Sequence, residues 1–215
     1  MKRVTLFCGH YGSGKTNLAV NYALHLRSLG REVAIADIDI VNPYFRTKDS
    51  EELLRSRGVE VISSAFANSN VDLPALPSEV YALVQNTSRC AVFDVGGDDR
   101  GAYALGRFVP YLLAENDYEM LFVVNFYRPL TRTAQEALEV LREIEGVCRI
   151  PFTGIVNNSN LGRDTTAADL LATRPACEEL CALTGLPLVM ECVSEPLAPE
   201  VPGAFPLALQ KRPVD

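Results

Sequence analysis

Tryptophan is absent from this 215-residue chain, methionine occurs three times and histidine twice. Lysine is nearly as scarce: Lys2, Lys15, Lys48 and Lys211 stand against sixteen arginines dispersed along the sequence. With a formal net charge of −7, the chain lacks the clustered cations of a phosphate-tracking surface, which argues against direct nucleic-acid binding. No stretch approaches the ~20 apolar residues of a membrane span. The apolar run after the basic Met1-Lys2-Arg3 ends at Gly9, too short for the core of a signal peptide. Six cysteines (Cys8, Cys90, Cys148, Cys177, Cys181, Cys192) are scattered, without Cys-x-x-Cys or Cys-x-Cys spacing. A soluble chain in a reducing, cytoplasmic compartment is expected.

What is present is alternation. Strand-length apolar runs fall at residues 3–8, 32–37, 59–62, 90–95, 118–125, 152–157 and 187–192. Several are apolar nearly throughout, as strands covered on both faces are. Between them lie helix-like segments at residues 15–29, 47–57, 78–86, 100–114, 131–145 and 176–184. This order predicts an α/β fold, a doubly wound and mostly parallel sheet flanked by helices, as one nucleotide-binding domain over residues 1–215. The loop from Ser63 to Pro77 is long enough to point to a function. From Glu195 the chain is proline-rich and is expected to be irregular.

The chemistry concentrates near the amino terminus. Gly9-His10-Tyr11-Gly12-Ser13-Gly14-Lys15-Thr16 follows a predicted strand and opens a predicted helix, the context a phosphate-binding P-loop requires. Backbone N–H groups of such a loop curl around phosphate oxygens, and the helix amino terminus adds its partial positive charge. Lys15 is expected on the β- and γ-phosphates and the Thr16 hydroxyl on Mg²⁺. The nucleotide-binding set is therefore Gly9 through Thr16 with Asn17. In a parallel sheet, ligands bind at the carboxyl ends of the strands, so Asp37-Ile38-Asp39 and Asp94-Val95-Gly96-Gly97 should converge on this loop. Asp94 reads as a Walker B carboxylate for the metal, and Gly97 as an N–H donor to the γ-phosphate. Asp98 and Asp99 suit the start of the next helix or a γ-phosphate-sensing loop.

These segments, with Asn42-Pro43 and Gly154-Ile155-Val156-Asn157-Asn158, resemble the MinD/ParA/CobQ-type branch of P-loop ATPases, a SIMIBI-class group. The resemblance spans roughly residues 1–199. It implies that Asp39 orients or deprotonates the attacking water, that Asp37 supports the metal, and that residues 42–48 form a switch loop. It also implies that the P-loop and Walker B strands are neighbours, that Asn157 contacts the base, and that backbone near residues 193–199 packs against it. Many members of that branch carry a second lysine early in the P-loop; here His10 and Tyr11 stand there. A neutral imidazole supplies no permanent charge, so a nucleotide-dependent homodimer is left open.

A guanine-reading Asn-Lys-x-Asp pattern needs an acidic residue at position 160, where this chain has Asn157-Asn158-Ser159-Asn160. ATP is therefore favoured over GTP. Cys177 and Cys181, four apart on a helix, are expected in the core. Arg128, after the fifth strand, is either a phosphate or partner contact or a surface turn residue. The leading expectation is a Mg²⁺-dependent ATPase, cycling between ATP and ADP, that switches a protein partner. By resemblance the client is a metalloenzyme under maturation or activation. An ATP-dependent kinase or ligase of small molecules, and a nucleotide-gated scaffold that does not hydrolyse, are the alternatives.

Overall fold

Valine, isoleucine, alanine and phenylalanine fill the apolar runs, and in the computed structural model these runs are the strands of a single sheet. The structure describes residues 1–38, 50–63, 78–96, 105–106 and 108–209. Expectations for Asp39, the 42–48 loop, residues 64–77, Gly97, Asp98 and Asp99 lie outside the described residues. The strands are β1 (Val4–Cys8), β2 (Val33–Ile38), β3 (Glu60–Ser63), β4 (Cys90–Val95), β5 (Tyr118–Val124), β6 (Gly154–Asn157), β7 (Leu188–Ser194) and β8 (Phe205–Leu207). Their order is β3-β2-β4-β1-β5-β6-β7-β8, and every pairing is parallel.

The described helices are α1 (Lys15–Ser28), α2 (Glu51–Ser56), α3 (Ser78–Gln85), α4 (Val109–Glu115), α5 (Ala134–Cys148), α6 (Ala167–Ala172) and α7 (Arg174–Thr184). Side chains alternate across a strand, and the two faces have separate cores. Phe7, Ile35, Val92 and Val123 pack with Leu18, Leu26 and Leu54 from α1 and α2. Leu6, Ala36, Phe93 and Phe122 pack with Leu83, Leu112, Leu141 and Leu180 from α3, α4, α5 and α7. From β1 the chain moves outward to β2 and β3, returns to β4, then crosses β1 to reach β5. That reversal opens a crevice at the carboxyl ends of the central strands, where ligands of such sheets bind. The P-loop strand β1 and the Asp94 strand β4 are indeed neighbours.

Several boundaries differ from expectation for local reasons. α5 begins at Ala134 rather than Thr131 because Thr133 is its N-cap, accepting from Glu136 N–H, while Thr131 closes the preceding turn. The proline-rich tail is partly regular: a 3₁₀ segment (Glu195–Glu200) leads into β8, an edge strand in which Pro206 is tolerated. Helix α6 is held by a capping box between Thr166 and Asp169. All six cysteines are free thiols. Cys177 is buried in the core and Cys181 packs partly against it.

A buried cation ties the sheet to one helix layer. Arg3, 9% exposed, pairs with Glu115 and donates to the carbonyls of Val84 at 2.8 Å and Asn86 at 3.1 Å. Those carbonyls end α3, where the helix dipole favours a positive charge.

Candidate functional site: a P-loop cleft

The loop from Gly9 to Gly14 leaves β1 and turns into α1. At Gly9 the backbone passes so close to β5 that an added Cβ would sit 2.2 Å from the Val123 carbonyl oxygen. Gly14 has φ +85°, a left-handed conformation that side chains disfavour, and forms the N-cap of α1 without any side-chain cap. The first turn of α1 contains no acidic residue, and the positive end of its dipole favours an anion. Lys15 and Thr16, on the first two helical positions, are buried at 3% and 5% exposure. The buried Ser13 hydroxyl has no hydrogen-bond partner among the described residues.

Two carboxylates face this loop. Asp37 on β2 and Asp94 on β4 are direct partners in the parallel register, and Asp94 is also level with Phe7 on β1. Ile35 and Val92, two residues earlier on the same strands, pack in the core beneath α1. The two-residue period therefore puts both carboxylates on the α1 side of the sheet, with Lys15 and Thr16. Asp94 is completely buried and Asp37 nearly so. One hydroxyl and two carboxylates are hard oxygen donors, and the described residues hold no cluster of three or more His, Cys, Asp or Glu. Such a sparse set fits Mg²⁺, which usually takes one or two carboxylates and completes its shell with water and phosphate oxygens. The Cys8 thiol below the loop is held well above the ordinary thiol range by a hydrogen bond with Cys148 and by burial. It is a neutral packing group, not a nucleophile.

A cleft of about 570 Å³ opens beside the loop, within the range of small-molecule sites. Tyr11, Gly12, Gly14, Lys15, Thr16 and Asn17 form its phosphate end. The 158–165 turn, residues 192–194, Leu207 and Leu209 enclose the other end, where exposed Leu161 offers apolar surface and Leu170 and Val193 are buried behind the wall. Residues 193 and 194 thus stand on the cleft wall. His10 is half-buried, its Nδ1 3.1 Å from the Tyr11 carbonyl. A larger, open groove of about 800 Å³ between α1 and β8 shares no lining residue with this cleft and carries no phosphate-binding element.

Asn157 is placed differently from the expected base contact. It is fully buried, its Oδ1 accepting from Ser159 N–H at 3.2 Å and Ser159 Oγ at 2.7 Å. Its Nδ2 donates to Thr173 Oγ1 at 3.0 Å, and it does not line the cleft. Its role is to hold the turn behind the cleft wall.

The neighbouring Asn158, to which the sequence assigned no role, touches the loop directly. Its Nδ2 donates to the Ser13 carbonyl at 2.7 Å, and an added Cβ on Gly14 would lie 2.5 Å from that nitrogen. Asn125 at the end of β5 also went unnoticed. It accepts from Tyr127 N–H at 3.0 Å and donates to the Asn160 carbonyl at 3.1 Å, joining the turns after β5 and β6. A run of four polar residues that starts at the last residue of a buried strand, Asn157 to Asn160, was the available signal for this network.

No protein-family model matches the sequence, and no curated protein matches it. Solved structures do resemble it. FtsY from Mycoplasma mycoides superposes with a TM-score of 0.61 at 18% identity, covering 91% of this chain and 61% of that one. A signal recognition particle receptor FtsY from Elizabethkingia anophelis, in complex with GDP, gives 0.59 at 16% identity over 90% and 58%. Signal recognition particle 54 kDa protein from Aeropyrum pernix, also in complex with GDP, gives 0.56 at 17% identity over 88% and 41%. This chain therefore spans about three-fifths of the length of the FtsY chains. At these identities the likeness shows the fold alone, the P-loop NTPase arrangement of a parallel sheet flanked by helices.

Proposed function

We propose that this chain binds a Mg²⁺–nucleoside triphosphate in the P-loop cleft, with ATP preferred, and hydrolyses its β–γ bond to switch a protein partner. One observation carries this reading. Buried Lys15 and Thr16 stand at the uncapped amino end of α1, on the same side of the sheet as the in-register Asp37–Asp94 pair. A polyphosphate supplies the anion that the positive end of the helix dipole and the lysine both favour. Lys15 stabilises the charge that develops on the phosphoryl oxygens. Thr16, Asp94 and Asp37 are the residues to hold Mg²⁺, which when bound neutralises charge on the β- and γ-oxygens. Asp39, two residues beyond Asp37, aligns the attacking water, and Gly97, beyond β4, donates to the γ-phosphate. Such catalysis rests on positioning and electrostatics rather than on a covalent intermediate.

Adenine is favoured because Asn160 is committed within its own turn. Its Nδ2 donates to the Asn158 carbonyl at 2.7 Å and its Oδ1 accepts from Gly162 N–H at 3.1 Å. An uncharged amide so engaged is a poor reader of guanine's two donors. The MinD/ParA/CobQ-type resemblance supports a protein client, with metalloenzyme maturation or activation as its class; the family's nucleotide-dependent homodimer is not carried over, because His10 and Tyr11 stand where its second lysine would be. Two observations favour GTP instead: the Asp164 carboxylate lines the cleft, and two of the structural neighbours are complexes with GDP.

Single-turnover assays with radiolabelled ATP and GTP test the proposal. Phosphate release from ATP is expected, falling at least about ten-fold in Asp39→Ala. Faster release from GTP would overturn the base assignment. Tight ATP binding without release in the wild type would leave a nucleotide-gated scaffold instead.

A further inference from the structure

We propose that Arg128 is a second phosphate-binding cation of this site, delivered within the same chain to the rim of the P-loop. The inference rests on the nucleotide-binding reading above. It starts from a deficit: the phosphate end of the cleft has Lys15 on the helix, while the outer arc of the loop carries His10 and Tyr11, neither a permanent cation. Arg128 lines the cleft together with Lys15 and Thr16. Its Nε donates to the Gly12 carbonyl at 3.2 Å, and its stem lies over Gly12, where an added Cβ would meet Arg128 Cδ at 3.6 Å. That single bond fixes the plane of the guanidinium and leaves the four N–H groups of Nη1 and Nη2 for another acceptor. No carboxylate forms an ion pair with Arg128 among the described residues. A cation with spare paired donors beside a polyphosphate cradle matches the fork geometry by which arginine holds phosphate.

The backbone that presents this side chain is built for the purpose. Asn125 O accepts both Arg128 N–H at 3.0 Å and Thr131 Oγ1 at 2.8 Å, while Thr131 N–H returns to Arg128 O at 3.3 Å. Pro129 and Leu130 fill the two central positions of this turn, with Leu130 at φ +66°. Glycine or asparagine normally occupies that position, so the turn holds a bulky residue in an unfavourable conformation. Asn125 also binds the turn after β6, so the arginine is anchored to both walls of the cleft.

The test compares fluorescent ATP, ADP and AMP analogues on the full chain carrying Arg128→Ala, Arg128→Lys or no change. Expected is a loss of about ten-fold in ATP affinity for Arg128→Ala, less for ADP and none for AMP, with Arg128→Lys between the extremes. Because the residue is exposed, the urea midpoint should stay unchanged. An equal loss for all three nucleotides would reduce Arg128 to a latch on Gly12 and overturn the proposal. So would ATP affinity unchanged in Arg128→Ala while the wild type binds tightly, or a loss seen only where the protein self-associates, which would put the arginine in trans. A wild type without nucleotide affinity would instead overturn the underlying functional reading.

Discussion

Replacing Gly14 and Asn158 together should cost less than the sum of the two replacements, because both break the same contact. In Asn158→Ala the Ser13 carbonyl loses its 2.7 Å donor in a site where both residues are 3% exposed. Orphaning a buried acceptor costs about 1–3 kcal/mol. In Gly14→Ala the new Cβ is built 2.5 Å from Asn158 Nδ2, so the amide must retreat and the bond is lost by another route. The left-handed φ of +85° adds about 1–2 kcal/mol, for a total of about 2–5 kcal/mol. In the double variant the φ cost remains, but the hydrogen bond is lost only once. The cycle should therefore fall short of additivity by about 1–3 kcal/mol. Urea unfolding followed by far-UV circular dichroism or tyrosine fluorescence measures it, since the chain has no tryptophan. Additivity within about 0.5 kcal/mol, or an Asn158→Ala variant as stable as the wild type, would refute the clamp between β6 and the P-loop.

Arg3→Ala should destabilise the fold by about 2–4 kcal/mol, less than a fully buried pair because the Glu115 side chain is 20% exposed. Arg3→Lys should recover part of the loss, since it keeps the charge but not the fork that spans carboxylate and helix carbonyls; an unchanged urea midpoint in Arg3→Ala would contradict this. Burial, then the Glu119 carboxylate, pushes the Tyr22 phenol up to about 12. The folded state therefore holds this proton more tightly than the unfolded chain, whose tyrosine titrates near 10. Its stabilising contribution is complete below pH 10 and is lost as pH rises through about 12. Absorbance at 295 nm should show a late ionisation step that disappears in Tyr22→Phe, and an identical profile in that variant would refute the assignment.

Strand content was readable because a strand buried on both faces is apolar at nearly every position, as Val33–Ile38 and Cys90–Val95 are. The P-loop was readable for a different reason: its glycines answer to backbone geometry that few other residues can adopt. Other features left weaker traces. Strand β8 is three residues long with a central proline, and it exists because Asn21 bonds both N–H and C=O of Ala208 just beyond it. The capping box of α6 was present in Thr166-x-x-Asp169, but the helix it opens is only six residues long, too short to show a helical apolar period. The site showed its ligand-facing residues and hid its scaffold. Asn157 and Asn158 are adjacent and identical in type, yet one faces the core and the other the loop, because successive residues point to opposite sides. Composition and spacing do not distinguish them; the register of β6 does.

The central claim is that the loop between β1 and α1 is a polyphosphate site. Calorimetric titration of Mg²⁺–ATP into the wild type and Lys15→Ala, each checked for an intact fold, tests it most directly. Clear binding by the wild type and a loss of at least about ten-fold in affinity in the variant are expected. Equal affinities, or no binding by the wild type, would contradict it.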